Sequence, residues 1–234
     1  MSYRTGYTRS RDLPYRGAPS VAPLGQRGIT GTYLSGGQIT GKEQNLRITG
    51  QNWIREAEEM LATDPVVAAS WRVLKQTLLE ASWRWVPGDE TDEHAKELAR
   101  FANECWGFDG YPGMMSVSWE DQLQYLWEFA PIGYRYAEEV YRVDNDENGV
   151  PRVWLDKYAD REPSAHLRWD SEDGQNLDAV IQQLRGNTLP PEPIPASKLL
   201  LLTLNRTGSN FAGRGLLRPA WWWWRFKQRT ANLL

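Results

Sequence analysis

The chain is poor in the residues that most often build disulfides and metal sites. Its 234 residues include one cysteine and two histidines. A single cysteine excludes a disulfide framework within the chain, and we expect Cys105 to be a small buried side chain rather than a reactive thiol. Neither His94 nor His166 has a His or Cys neighbour at a metal-ligand spacing, so the sequence gives little support to a zinc site.

Long apolar runs are scarce as well. The longest, Leu199–Leu204, is far shorter than the roughly 20 residues that a membrane-spanning helix needs. No apolar stretch follows the basic start of the chain, so we expect no signal peptide. These features favour a protein that is made and assembled inside a cell, without a transmembrane segment.

Catalytic and cofactor motifs are missing from the sequence. Gly41-Lys42 is followed by Glu43, so the phosphate-binding G-x-x-x-x-G-K-[ST] pattern is absent, and no G-x-S-x-G nucleophile turn occurs. The stretch DNDENG (144–149) resembles the start of a calcium-binding loop, but position twelve is Leu155 and the flanks have strand character, which favours a hairpin turn. We predict no cofactor, no metal and no catalytic residues.

Charge is divided unevenly along the chain. Residues 1–45 hold six Lys or Arg and two acidic residues, residues 46–192 hold fourteen and twenty-eight, and residues 193–234 hold seven and none. The acidic middle would repel nucleic acid phosphates, whereas both basic ends could meet an acidic partner.

The hydrophobic pattern predicts helices, then strands, then a closing helix, which is an α+β fold. Helices are expected over about 51–63, from Pro65 onward, over 91–106, and from the cap Ser118 to about Phe129. A short strand is expected at 83–88, a hairpin at 133–143 and 150–158, and further strands at 166–170, 177–184 and 198–205. A proline-rich connector should precede the last strand, and the closing helix should begin near Leu217. Residues 1–45 have neither a helical nor a strand period and are expected to be a flexible basic arm, either a plain disordered tail or a segment that orders against a neighbour.

Four consecutive tryptophans, Trp221 to Trp224, stand in the closing helix. Successive helical residues point about 100° apart, so four indoles in a row project on all sides of a helix and require cover on most of them. The chain's own core, the same region of neighbouring subunits, and a membrane interface are three ways to cover them. Charges at Arg218, Arg225 and Lys227 argue against a lipid core, and the polar character of the chain favours packing between copies.

Five segments, in this order, resemble the portal proteins of tailed bacteriophages, and most closely the Mu-like portal family. They cover roughly residues 51–229 and read MLATDPVVAASWRVLKQTLLEASWRWVPG, SWEDQLQYLWEFAPIGYRYAEEVYRV, LDKYADREPSAHLRWD, IPASKLLLLTLN and GRGLLRPAWWWWRFK. No single motif among them is specific; the order and spacing carry the resemblance.

The resemblance implies a non-enzymatic ring, usually of twelve copies, at the portal vertex of the capsid, assembled in the host cytoplasm. Double-stranded DNA would pass through its channel during packaging and ejection without sequence recognition. The implied partners are the terminase large subunit, head-completion or adaptor proteins at the head–tail connector, and the major capsid protein; no membrane is involved.

The resemblance also assigns expected roles to parts of this chain. Residues 46–204 would form a wing-like α+β domain and residues 205–234 the start of a stem helix, while the family's clip and crown have no counterpart here. Inter-subunit packing would use the four tryptophans with Leu216 and Leu217. Gly213 and Gly215 would form the turn into the stem, and the basic stem residues would be Arg214, Arg218, Arg225 and Lys227. The alternatives are a monomeric Trp-rich module that binds a partner or a membrane, and a phage-associated hydrolase.

Overall fold

The computed structural model describes residues 34–35, 38–39, 45–146, 148–172, 175–183 and 191–231. The greater part of the expected N-terminal arm therefore lies outside the described residues. Within it, β1 (Leu34–Ser35) and β2 (Gln38–Ile39) form a short antiparallel pair, where the sequence pattern suggested no strand.

Two helices meet at Asp64, as the sequence predicts. The helix α1 spans Gly50–Thr63 and α2 spans Pro65–Leu79. The Asp64 carboxylate accepts hydrogen bonds from the backbone N–H groups of Val66 (2.9 Å) and Val67 (3.3 Å), so it caps α2 while its own backbone ends α1. The proline at the first position of α2 loses no hydrogen bond there. This junction sets the direction of α2 relative to the buried face of α1.

The next two predicted helices both form, the second at the predicted cap Ser118, but the structure differs from the predictions for this region in two places. The helices are α3 (Glu93–Trp106), capped by Asp92, α4 (Trp119–Leu126), capped by Ser118, and the short α5 (Phe129–Ile132). The helix from Ser118 ends at Leu126 instead of continuing to Phe129. The prediction of a strand at 83–88 is wrong. The backbone of Trp85 forms its hydrogen bonds with the side chain of Asn103 instead of with a neighbouring strand: the Trp85 N–H donates to Asn103 Oδ1 (2.8 Å), and Asn103 Nδ2 donates to the Trp85 carbonyl (2.9 Å).

Strands form two three-stranded antiparallel sheets. The first has the order β4 (Pro151–Arg161), β3 (Tyr134–Asn145), β8 (Leu199–Thr203), and the second β5 (His166–Asp170), β6 (Ala179–Gln182), β7 (Glu192–Pro195). The predicted hairpin is confirmed, with a register shift between Val140 and Tyr141. The proline-rich segment is not only a connector, because residues 192–195 pair with β6. Its prolines are tolerated because β7 is an edge strand.

One large cluster of buried side chains holds these layers together. It joins α1 (Trp53, Ile54, Ala57, Met60) to both sheets and to α6 (Trp221–Ala231). A second, smaller cluster contains Cys105, Trp154 and Leu155, and the burial of Cys105 agrees with the expectation of a structural thiol. The architecture is α+β, as predicted. In the part of the chain that the structure describes, no helix is long and apolar enough to cross a bilayer.

Candidate assembly surface

Glycine residues bring the chain into α6 along a path with no room for a side chain. Gly213 has φ +58°, and a Cβ built there would lie 2.2 Å from the Leu204 carbonyl oxygen. A Cβ at Gly215 would lie 2.1 Å from the Pro131 carbonyl oxygen. These close approaches place the connector, residues 204–220, directly against α5. The two glycines singled out in the sequence therefore lie where the backbone turns toward α6.

Backbone hydrogen bonds fasten the connector to α5. The N–H of Leu216 donates to the Ala130 carbonyl (2.8 Å), and that of Leu217 to the Pro131 carbonyl (3.3 Å). Residues 216–220 form turns, and the helix begins at Trp221 instead of near Leu217 as predicted. The N–H groups of Arg218 and Ala220 donate to carbonyls three residues back, those of Gly215 (3.2 Å) and Leu217 (3.0 Å), so this segment is a run of turns before the α-helix.

One face of α6 is anchored to α1 by hydrogen bonds and ion pairs. Trp221 Nε1 donates to Glu56 Oε2 (2.8 Å), and the same carboxylate also pairs with Arg225. Six residues after Trp221, Lys227 Nζ lies 2.8 Å from Asp64 Oδ2. The hydrogen bond from Lys227 lowers the pKa of Asp64, which favours its ionised form. These contacts fix both the position and the rotation of α6.

A cation–π contact also joins the connector to α1. The Arg218 guanidinium lies 5.6 Å from the centre of the Trp53 ring, and Trp53 Nε1 donates to the Ile132 carbonyl (2.5 Å). Arg214, in contrast, is an exposed side chain in the connector. Three of the four basic residues expected in the stem thus contact α1 or the α1–α2 junction.

The tryptophans divide into two pairs. Trp221 and Trp224 are 4% and 3% exposed and belong to the protomer's main core, whereas Trp222 and Trp223 are 65% and 72% exposed. A single chain therefore buries two of the four indoles in its own core. The hypothesis that neighbouring copies shield the indoles applies only to Trp222 and Trp223. Leu217 packs on the same core.

Phe226 extends the exposed aromatic surface. It is 61% exposed, and its ring lies 6.5 Å from that of Trp223 in an edge-to-face arrangement. We call the three exposed rings of this helix, Trp222, Trp223 and Phe226, the α6 outer face. Leu216, which is 49% exposed, lies in the turns before α6. Phe226 was not among the residues predicted for this surface, although its spacing of four and three residues from the two exposed tryptophans is the helical signal that identifies it.

The two histidines occupy different environments. His94 is exposed on α3, whereas His166 is buried among the rings of Tyr134, Tyr136 and Trp169. Burial lowers the pKa of His166 to about 4, so the ring is neutral at pH 7. Among the described residues, no group of three or more His, Cys, Asp or Glu side chains is arranged to hold a metal ion. The DNDENG segment lies at the hairpin turn, where Asp146 accepts from the N–H groups of Asn148 and Val150.

Comparison with known families gives one match. A family model described as the portal protein of Mu bacteriophage matches residues 54–233, which includes both sheets, the connector and α6. No curated protein matches the chain.

Proposed function

Because the chain belongs to the family of the portal protein of Mu bacteriophage, we propose that it is a structural subunit of a ring, usually of twelve copies, through which double-stranded DNA passes. The ring stands at one vertex of the capsid, and its role is mechanical and architectural rather than catalytic. The family match over residues 54–233 is the observation that carries this proposal.

The α6 outer face supports assembly between copies. Two indoles and a phenyl ring, each more than 60% exposed, form an apolar surface that water solvates poorly. Burial of such side chains contributes roughly 25 cal/mol for each Å² removed from water, and aromatic residues are typical anchors of protein interfaces. In the proposed ring, α6 packs side by side with the neighbouring protomers and this surface is covered.

Charge supports passage of DNA without adhesion. Residues 46–192 carry twice as many acidic as basic residues, so a channel wall formed from them repels phosphates and lets the duplex slide. In contrast, residues 193–234 are basic without any acidic residue, and in the protomer Arg225 and Lys227 are neutralised by Glu56 and Asp64.

The parts of the chain take the following roles in this proposal. Residues 46–204 form the wing and residues 205–234 the start of the stem, with one continuous core between them. The basic arm, residues 1–45, contacts a neighbouring subunit or the capsid shell. The assembled ring binds the terminase large subunit during packaging, then the head-completion proteins, and it is held in the shell of major capsid protein after assembly in the host cytoplasm.

Light scattering coupled to size exclusion tests the proposal. The chain should have a mass near twelve times the 26.9 kDa of one protomer, and the Trp222→Ser/Trp223→Ser variant should shift toward the protomer mass. The matched control is Val143→Ser/Val153→Ser, which removes side chains that are 72% and 61% exposed on the β3–β4 hairpin and should leave the mass unchanged. A monomeric wild-type chain whose tryptophan fluorescence shifts on addition of lipid vesicles would instead support the membrane-binding alternative.

A further inference from the structure

A ring with more than two members needs two different surfaces on each protomer. A surface can pair with itself only across a two-fold axis, whereas a cyclic ring repeats one head-to-tail contact between unlike patches. If the proposed ring is correct, on which this inference rests, the α6 outer face must meet another part of the next copy. That part should be apolar, exposed and long enough to accommodate a helix.

The helix α2 carries such a surface on its solvent side. Although it is rich in apolar residues, α2 has no buried residue. Val66, Val73 and Leu74 are 69%, 67% and 51% exposed. At about 100° per residue they fall on one stripe, with the exposed Ala69, Ser70 and Thr77 between them. These six residues are called the α2 outer face.

The α2 outer face is free of charge along its length. Lys75 projects from the packed side of the helix, where it pairs with Glu128 (3.9 Å), and the exposed Arg72 lies at the edge of the stripe, three residues after Ala69. The side chains of the outer face are small or of medium size, so they leave space for the large rings of a facing helix. An uncharged stripe opposite the packed side of a helix is typical of a helix with a second partner.

Charges at the two helix ends set the relative direction. The first acidic residue after Thr77 is Glu80, which follows Val73 by seven positions and accepts a hydrogen bond from Gln76 (3.2 Å). On α6, Arg229 follows Trp222 by the same seven positions, or about 10 Å of helix. A parallel arrangement therefore brings Arg229 and Glu80 together when Trp222 lies beside Val73. An antiparallel arrangement with Trp222 at the same point places Arg229 toward the Asp64 end, which Lys227 already neutralises within the protomer.

We propose that the α6 outer face of one copy packs in parallel along the α2 outer face of the next copy. In this register Trp222 contacts Val73, Phe226 contacts Thr77, and Arg229 pairs with Glu80. In this arrangement each protomer uses its α6 outer face toward one neighbour and its α2 outer face toward the other. The contact thus repeats head to tail around the ring.

Cysteine cross-linking tests this register directly. The Thr77→Cys/Phe226→Cys chain, oxidised mildly, should give a ladder of covalent multimers on a denaturing gel, because each protomer links to both neighbours. Cys105 is 1% exposed and should not react in the folded chain. The control pair Val143→Cys/Phe226→Cys, whose hairpin position is also exposed, should give no ladder. Light scattering on the same samples reports whether the ring has formed.

The outcomes separate the interface from the ring itself. A ring-sized variant without the ladder would overturn this interface while leaving the proposed function intact, and a wild-type chain that is monomeric by the same light-scattering measurement would overturn both. Efficient dimer formation by Phe226→Cys alone would show that the α6 outer face pairs with itself, which also refutes the proposal.

Charge reversal provides a second test that leaves the apolar contact untouched. Glu80→Arg or Arg229→Glu alone should weaken association by about two- to fivefold per interface, and the combined reversal should restore it. If the double variant assembles no better than the single variants, the two residues do not face each other and the parallel register is wrong.

Discussion

Replacement of Gly215 by alanine tests whether the connector holds α6 in place. The added methyl group would lie 2.1 Å from the Pro131 carbonyl oxygen and 2.4 Å from the Ile132 carbonyl carbon. Both obstacles are backbone atoms, so neither can rotate away as the end of a side chain can. The connector must move away from α5 by about 1 Å to relieve contacts this short, since well-packed interiors absorb even one added methyl poorly.

The expected loss follows from the contacts that this movement disturbs. Overpacking costs about 1 to 3 kcal/mol. The flanking hydrogen bonds from Leu216 to Ala130 and from Leu217 to Pro131 contribute about 1 kcal/mol each. We therefore expect Gly215→Ala to lower the free energy of unfolding by about 3 to 5 kcal/mol.

Two other glycines serve as matched controls. Gly149 has φ +76°, but no atom of the described residues lies within 4 Å of an added Cβ, so Gly149→Ala reports backbone strain and should cost about 1 kcal/mol. Gly88 has neither constraint, and Gly88→Ala should change stability by less than about 0.5 kcal/mol. Urea unfolding followed by tryptophan fluorescence measures all three. The Trp222→Ser/Trp223→Ser background keeps assembly from adding to the apparent stability. A loss for Gly215→Ala no larger than for Gly88→Ala would refute the close packing of the connector.

Two further predictions concern buried rings in the same background. Trp221→Phe should cost about 1.5 to 3 kcal/mol more than Trp224→Phe in urea unfolding, because Trp221 Nε1 donates to the Glu56 carboxylate, whereas the buried Trp224 Nε1 has no hydrogen-bond partner among the described residues. Equal losses would contradict the role of Glu56. For His166, burial holds the folded pKa near 4, below the unfolded value of about 6.5, so the unfolded chain binds more protons between these values. Stability should be complete above pH 6.5 and fall toward pH 4 by up to about 3 kcal/mol. His166→Gln should remove that part of the slope, and an unchanged difference from wild type between pH 6.5 and 5 would show that His166 does not titrate this way. Raised carboxyl pKa values at Glu58 and Glu128 act with the opposite sign, but they are present in both chains and cancel in the comparison.

Local signals in the sequence predicted most of the elements. Asp64-Pro65 and Ser118 mark helix ends through side-chain capping and proline geometry, which depend on neighbours within three residues. The hairpin around residues 144–149 has a similarly local cause. The strand expected at 83–88 failed because its alternating pattern did not reveal the Asn103 side chain that binds the Trp85 backbone. That interaction joins residues 18 positions apart.

The candidate surface was predicted only in part, for a similar reason. Composition and helical spacing indicated that the four indoles must be shielded from water. They could not show which indoles pack inside the protomer and which are left for neighbouring copies. The division depends on Glu56 and Asp64, more than 160 residues earlier in the chain, which set the rotation of α6 and turn Trp221 and Trp224 inward. The same rotation exposes Phe226. The α2 outer face remained hidden because Val66 and Val73 look like ordinary core residues until the packed side of the helix is known.

Electron microscopy of the purified chain images the assembly and the position of α6 together, and so tests the proposed ring and its interface in one experiment. We expect closed rings around an open channel, with Trp222, Trp223 and Phe226 of each copy covered by α2 of the next. Single protomers, or closed assemblies in which those three side chains face solvent, would contradict it.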